Sequence, residues 1–175
     1  DIHVEVILTN EELDLAMREA DVAIRLRQPT QPDLIQRRLF TVHFHAYASP
    51  DYIKSHGKPE TVAALDEHRI LAFGGHEPHY LNRINWLPMA GREGREPRQP
   101  VLTVNSITAL KKAAERGLGI AVLPDYLADG TTQLLPLLTE AEMPALETYL
   151  VYPGEMKNVA RVQVFRDFLV SKAQR

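Results

Sequence analysis

The sequence predicts an α/β protein built from two lobes. Residues 2–26 are typical of a strand, a helix and a strand, and the same order recurs where "VLTV" and "GIAVL" flank a helical segment near residues 102–123. Such units favour parallel strands with a helical crossover. Two longer β-prone runs, near residues 38–48 and 147–152, are predicted to be strands that pass from one lobe to the other.

The first unit begins with an alternation of apolar residues at Ile2, Val4, Val6 and Leu8, which predicts a strand. Asn10 follows as a helix cap, the next residues predict a helix, and "DVAIRL" predicts the second strand. We expect a chain that begins inside a strand to be a piece of a longer protein.

The remaining elements follow from shorter patterns. "LIQRRLFTVHFHAYASP" predicts a long strand, and "RILAF" predicts a short buried one. Two short helices are expected between them, the first of which ends at Gly57. "TTQLLPLL" and "LETYLVYP" are strand candidates. The final helix is predicted to pack a face made of Val159, Val162, Phe165 and Leu169.

The composition excludes several classes of function. The 175 residues carry a formal net charge of −3, so the chain lacks the basic surface of a nucleic-acid-binding domain. Cysteine is absent, which excludes disulfides, thiolate metal sites and a cysteine nucleophile. No apolar run approaches the length of a membrane span. The glycines of "GLGIAVLP" follow a helix and precede a strand, the reverse of the dinucleotide-binding order, and we expect no cofactor.

The start of the helix in "VNSITALKKAAERGLGIAVLPDYLA" is a candidate ligand site. Asn105 or Ser106 can cap this helix, whose first amides are unpaired and attract an anion. Ile107, Leu110, Ala114 and Leu118 are predicted to face a sheet, and Gly117 suits the end of the helix. The alternative is that the cap serves only its own helix.

Thr9 and Asn10 repeat this arrangement at the predicted first helix, so two helix starts, one in each lobe, can converge on a cleft that binds an anion. Arg25, at the end of a predicted strand, can pair with an anionic ligand. A solvated arginine is the alternative there.

Other chemistries have less support. His43 and His45 share one face of a strand, and His76 and His79 lie in a predicted loop, but neither pair has a third ligand at a recognisable spacing. We therefore predict no metal. A hydrolase that uses Ser106 with His43 or His76 is a further alternative, although no Gly-x-Ser-x-Gly motif occurs. We predict that the chain is not an enzyme.

Several segments carry a family resemblance. "ADVAIRL", "RRLFTVHFHAYASPDYIKSHGKPETVAALDEHRIL" and "TVNSITALKKAAERGLGIAVLPDYLA", followed by "LVYP" and the final helix, resemble the C-terminal effector-binding domain of LysR-type transcriptional regulators. The resemblance covers nearly the whole chain in the expected order. "SPDYIKSHGKPET" and "GLGIAVLP" are its most characteristic stretches.

The resemblance implies a type II periplasmic-binding-protein-like fold of two α/β subdomains joined by two crossover strands. Subdomain I would comprise residues 1–45 and 150–175, and subdomain II residues 46–149. A small effector, often a carboxylate or another organic anion, would bind between the lobes. The implied effector-binding residues are Thr9, Asn10, Arg25, Phe73, Gly74, Asn105, Ser106 and Ile107.

The resemblance also implies partners. We expect a cytoplasmic homodimer or homotetramer that contacts promoter DNA only through an N-terminal DNA-binding domain outside this sequence, and that has no membrane partner. The first strand and helix of subdomain I are also expected to be missing, which would leave apolar surface near Val4, Val6 and Leu13. A solute-binding protein of a transporter, which shares the fold, is the alternative function.

Overall fold

The structure is a computed structural model. It describes residues 2–74 and 79–173, and for residues 79 and 80 it describes the backbone alone. The chain divides into two compact units, the first made of residues 1–42 and 146–175 and the second of residues 43–145. No helix in the described ranges is long and apolar enough to cross a membrane.

The strands and α-helices are, in chain order, β1 (Ala23–Arg25), β2 (Leu34–Ala48), α1 (Pro50–His56), β3 (Leu71–Phe73), α2 (Trp86–Met89), β4 (Leu102–Val104), α3 (Ile107–Glu115), β5 (Ala121–Pro124), α4 (Asp125–Ala128), β6 (Leu135–Leu137), β7 (Ala145–Pro153) and α5 (Ala160–Ala173). Short 3₁₀ helices lie at Ala63–Glu67, His79–Ile84 and Gly154–Asn158.

The first unit is organised around β7. β1 pairs with β7 in the antiparallel direction, with Ala23 opposite Val151, and β7 is also a neighbour of β2. Leu150 and Tyr152 pack against Val162 and Val170 of α5. The predicted apolar face of the final helix is therefore correct at Val162, which is buried because α5 covers one side of β7.

The second unit contains the end of β2, which pairs in the antiparallel direction with both β5 and β6. β3 and β4 form a separate parallel pair, and a parallel bridge joins Ile70 to Ile120 just before β5. α3 connects β4 to β5 and packs on β3 and β5 through its buried residues Leu110 and Ala114. The predicted parallel strand–helix–strand unit is thus present here, with β3 lying between its two strands.

The N-terminal segment differs from its prediction. Residues 2–9 form no strand, and Val6 and Leu8 are 73% and 92% exposed. An alternating apolar pattern forms a strand only beside a partner, and within the described residues β1 pairs with β7 alone. The apolar surface expected at Val4 and Val6 is therefore exposed.

The helix predicted after Asn10 is also not formed. Residues 15–18 form a turn instead, in which the carboxylate of Asp14 accepts the amide protons of Ala16 and Met17. Such a local side-chain bond competes with the helical hydrogen bonds of the backbone. The parallel unit predicted for residues 2–26 is therefore wrong, and its one surviving strand, β1, is antiparallel to its neighbour.

The end of α3 fits the predicted glycine but not the predicted leucine. Gly117 has a φ of +76°, the left-handed conformation that glycine adopts readily after a helix. Leu118, in contrast, is 42% exposed rather than packed on the sheet. The reason is that α3 ends at Glu115, so residue 118 no longer follows the helical spacing that buries Leu110 and Ala114.

Gly119 provides a test of the packing beside β5. A β-carbon at this position would overlap the carbonyl oxygen of Arg69, which accepts a hydrogen bond from Ile120 and so cannot move freely. We expect Gly119→Ala to lower the thermal midpoint by about 4–8 °C, the result of roughly 2 kcal/mol of overpacking. Gly154→Ala, where the nearest atom is an ordinary 3.4 Å away, is the control, and equal midpoints would contradict the prediction.

Candidate functional site in the second unit and Arg25 in the first

The carboxyl ends of β3 and β4 bring two predicted segments together. Because the strands are parallel and Phe73 is opposite Val104, the residues that follow each strand lie side by side. Gly74 confirms the register by donating its N–H to the carbonyl of Val104, at 3.1 Å. Ligands bind at such carboxyl ends in open α/β sheets. The residues brought together at this edge are Phe73, Gly74, Asn105, Ser106 and Ile107.

The start of α3 has the geometry of an anion-binding helix end. Ser106 has extended backbone angles and caps the helix, with its Oγ accepting the N–H of Ala109 at 3.3 Å and its carbonyl accepting that of Leu110 at 2.9 Å. The amides of Ile107 and Thr108 have no hydrogen-bond acceptor among the residues that the structure describes. These two N–H groups are donors that the edge can offer to a ligand.

Phe73 and Gly74 contribute in a different way. The N–H of Phe73 donates to Oδ1 of Asn85 at 2.9 Å, and the N–H of Gly74 is used by Val104. Neither amide is left for a ligand, so these residues shape the edge rather than supply donors. Gly74 has a φ of +152°, whereas a β-carbon there would meet only ordinary contacts, so its backbone conformation rather than lack of space requires glycine.

Asn85 also contacts this edge, a contact that the sequence analysis did not predict. Its Nδ2 donates to the carbonyl of Phe73, while its Oδ1 accepts the N–H of the same residue. The local signal was an asparagine directly before α2, a position where it is usually read as a helix cap. The contact with Phe73 depends on how the chain folds back over 12 residues, which no local pattern reports.

The other predicted site residues lie in the first unit, where Thr9 and Asn10 do not begin a helix. Oγ1 of Thr9 accepts the N–H of Glu11 at 3.0 Å in a local turn, and no helix follows Asn10. The prediction that Thr9 and Asn10 begin a helix is therefore wrong. A helix dipole cannot be part of any binding role for these two residues.

Arg25, at the end of β1, is buried, with 7% of its surface exposed. Its Nη2 donates to the carbonyl of Leu13 at 2.9 Å, and no carboxylate in the described residues forms a salt bridge with it. Arg27, in contrast, binds both oxygens of Glu12, at 2.6 and 2.7 Å. The alternative of a solvated Arg25 is therefore wrong: the residue is buried, and within the described part of the chain its guanidinium donates to one neutral group, the carbonyl of Leu13.

The electrostatics of this region follow from the two arginines. Hydrogen bonding to Arg27 lowers the pKa of the Glu12 carboxyl against the opposing effect of burial, and the charge of Arg25 lowers it further. The carboxyl group of Glu12 is thus already engaged by Arg27.

The structure gives no support to the metal and hydrolase alternatives. Nδ1 of His45 lies 2.7 Å from Asp125, but no group of three possible ligands occurs in the described residues. Oγ of Ser106 meets a backbone amide rather than a base. His76 and the side chain of His79 lie outside the part of the chain that the structure describes.

Comparison with known proteins identifies the family. The model of the LysR substrate binding domain matches residues 1–174. The chain belongs to this family. It is 31% identical to the HTH-type transcriptional regulator CrgA of Neisseria meningitidis over 176 residues, which covers 97% of this chain and 58% of the relative. It is also 31% identical to an uncharacterized HTH-type transcriptional regulator of Haemophilus influenzae, over 87% of this chain and 53% of that protein.

Solved structures give the same answer for the fold. The regulatory domain of the LysR-type regulator CrgA matches with a TM-score of 0.77 and 32% identity, over 91% of this chain and 78% of that chain. The full-length virulence activator AphB of Vibrio cholerae matches with a TM-score of 0.72 at 22% identity, over 92% of this chain and 54% of that one. The predicted type II periplasmic-binding-protein-like fold is therefore confirmed.

The family also decides between the predicted functions. The domain is the effector-binding domain of LysR-type transcriptional regulators, which are not a family of enzymes, and the comparisons give no support to the transporter alternative. The chain spans somewhat more than half the length of these curated relatives.

The Ser106 cap can be tested by stability. Ser106→Ala removes the acceptor of the Ala109 amide, and we expect a loss of about 1 kcal/mol, or 2–4 °C in thermal midpoint. Ser106→Asp retains an acceptor and should recover most of this loss. Ser171→Ala, at an exposed position near the end of α5, is the control. An Ala variant as stable as the unaltered chain would contradict the cap.

Proposed function

We propose that this chain is the part of a transcriptional regulator that senses a small organic anion, and that the start of α3 holds the negative group of that effector. The observation that carries the proposal is the pair of unpaired amides at Ile107 and Thr108, at the carboxyl edge of the β3–β4 pair. The positive end of the α3 dipole lies at the same place and adds to the attraction.

Arg25 supports a second contact, from the first unit. The guanidinium of Arg25 is buried and, among the described residues, has one neutral hydrogen-bond partner, so most of its donors remain available to a ligand. Desolvation strengthens its attraction to an anion. We infer that Arg25, with Thr9 and Asn10 of the same unit, supplies the contact of this unit. Phe73, Gly74, Asn105, Ser106 and Ile107 form the contact of the second unit. In this proposal the effector binds between the lobes.

The regulatory mechanism follows from an effector held by both units. A ligand that contacts both favours the arrangement in which both contacts are made, so its binding shifts the population toward that arrangement. β2 and β7 are the segments that pass between the units, and they would carry the change to the rest of the regulator.

The proposal extends to the whole regulator. We infer a cytoplasmic protein that forms a homodimer or homotetramer and binds promoter DNA through a separate N-terminal domain, in keeping with the names of its HTH-type relatives. We infer no catalytic role for the chain, since the hydroxyl of Ser106 is used as a helix cap.

Titration with acetate, succinate and benzoate, followed by the amide NMR signals of the ¹⁵N-labelled chain, tests the proposal. At least one anion should shift the signals of Ile107 and Thr108 to saturation, because these amides are its donors. Arg25→Ala should weaken that binding about tenfold or more, the effect of losing a charge-assisted hydrogen bond.

Two further variants make the result specific. Arg25→Lys keeps the charge without the planar fork and should bind with intermediate affinity. Arg161→Ala, at an exposed arginine of the same unit, should bind as the unaltered chain does. If all three anions leave Ile107 and Thr108 unshifted, the α3 site is wrong. If the signals of Ile107 and Thr108 shift at the same anion concentrations in Arg25→Ala as in the unaltered chain, Arg25 does not take part in the binding.

A further inference from the structure

We propose that Asn85 is a positioning residue of this anion site, whose carboxamide holds the Phe73–Gly74 strand end and thereby the start of α3. The inference rests on the proposed function, since it concerns the same site. It assigns Asn85 no contact with the effector.

The carboxamide of Asn85 pairs with Phe73 as a peptide group of a neighbouring strand would. Its Oδ1 accepts the N–H of Phe73 at 2.9 Å, and its Nδ2 donates to the carbonyl of the same residue. Both bonds lie in a protected place, because Phe73 is 6% exposed. No other side chain of the described residues bonds to the N–H or the carbonyl of Phe73.

Asn85 bonds to β3 at the point where the neighbouring chain segment at Ile120 no longer supplies a backbone partner. Alternate residues of a strand direct their backbone groups to opposite edges. On one edge, Leu71 donates its N–H to the carbonyl of Ile120 at 2.8 Å. Phe73, two residues later, directs its groups to the same edge, and its partner there is the side chain of Asn85 rather than β5. The carboxamide therefore completes the edge of β3 at its carboxyl end.

The position of Asn85 shows that its side chain is committed to this role. It occupies the cap position of α2, where an asparagine side chain usually accepts an amide of its own helix. Here the side chain forms no cap hydrogen bond and is directed to β3. Helix capping therefore does not account for the residue.

The link from Asn85 to the ligand donors is short. Phe73 bonds to Asn85, and the next residue, Gly74, donates to the carbonyl of Val104 at 3.1 Å. Val104 ends β4 only two residues before the helix cap Ser106. A shift of the Phe73–Gly74 backbone would therefore displace the end of β4 through this hydrogen bond. It would thereby move the start of α3, where the amides of Ile107 and Thr108 lie.

The experiment compares Asn85→Ala and Asn85→Asp with the unaltered chain by two measurements at pH 7. The first is the dissociation constant of whichever of acetate, succinate and benzoate shifts Ile107 and Thr108 most, and the second is the thermal midpoint. We expect Asn85→Ala to weaken binding roughly tenfold, as loss of an outer-shell partner does at metal sites. Asn85→Asp is nearly the same size but presents an oxygen to the carbonyl of Phe73, so it should bind no better than the alanine variant. Gln133→Ala, an exposed amide in the same unit, is the control and should bind normally.

The outcomes separate the possible roles. A lower thermal midpoint with an unchanged dissociation constant in Asn85→Ala would make Asn85 structural only and overturn the inference. Normal binding by Asn85→Asp would show that the bond from Nδ2 to the carbonyl of Phe73 is not needed at the anion site, which also overturns the inference that the whole carboxamide holds the strand end. If no anion shifts Ile107 and Thr108 in the unaltered chain, the proposed function itself fails and the inference fails with it.

Discussion

The second unit depends on the parallel pairing of β3 with β4. Residues 73 and 104 are far apart in the chain, and this register alone places the segment after one strand beside the segment after the other. The hydrogen bond from Gly74 to Val104 extends the pairing one step beyond β3. The helix cap, the unpaired amides and the contact with Asn85 lie at the edge that this register defines.

The proposed contacts of the two units use different chemistry. The second unit offers neutral amides at a helix start, whereas the first offers the guanidinium of Arg25, buried and bonded to a carbonyl. Neutral donors hold an anion without repelling one another, and a single buried cation adds direction and strength. Each of the two contacts taken by itself favours a ligand with a concentrated negative charge, as the organic anion of the proposal has.

Local signals explain the parts of the site that sequence analysis predicted. Ser106 caps α3, and Gly117 adopts the left-handed conformation after it, because both features depend on a few neighbouring residues. The strand around Phe73 was also predicted, since its apolar run marks a buried segment, and the two long strands were predicted from their β-prone residues. The family resemblance placed these elements in a known fold, and the family match agrees.

The sequence by itself determined where most strands and helices form, how α3 is capped, and to which family the chain belongs. Tertiary structure decided the rest. The alternating residues 2–8 form no strand among the described residues, because β-structure requires a partner that no local pattern supplies. Arg25 is buried and bonds to Leu13, and Asn85 bonds to Phe73 rather than capping α2. Each of these contacts joins residues that are 12 positions apart, so no local pattern predicts it. Hydrogen bonds of this kind are fixed by the fold, and the periodicity of a sequence contains no record of them.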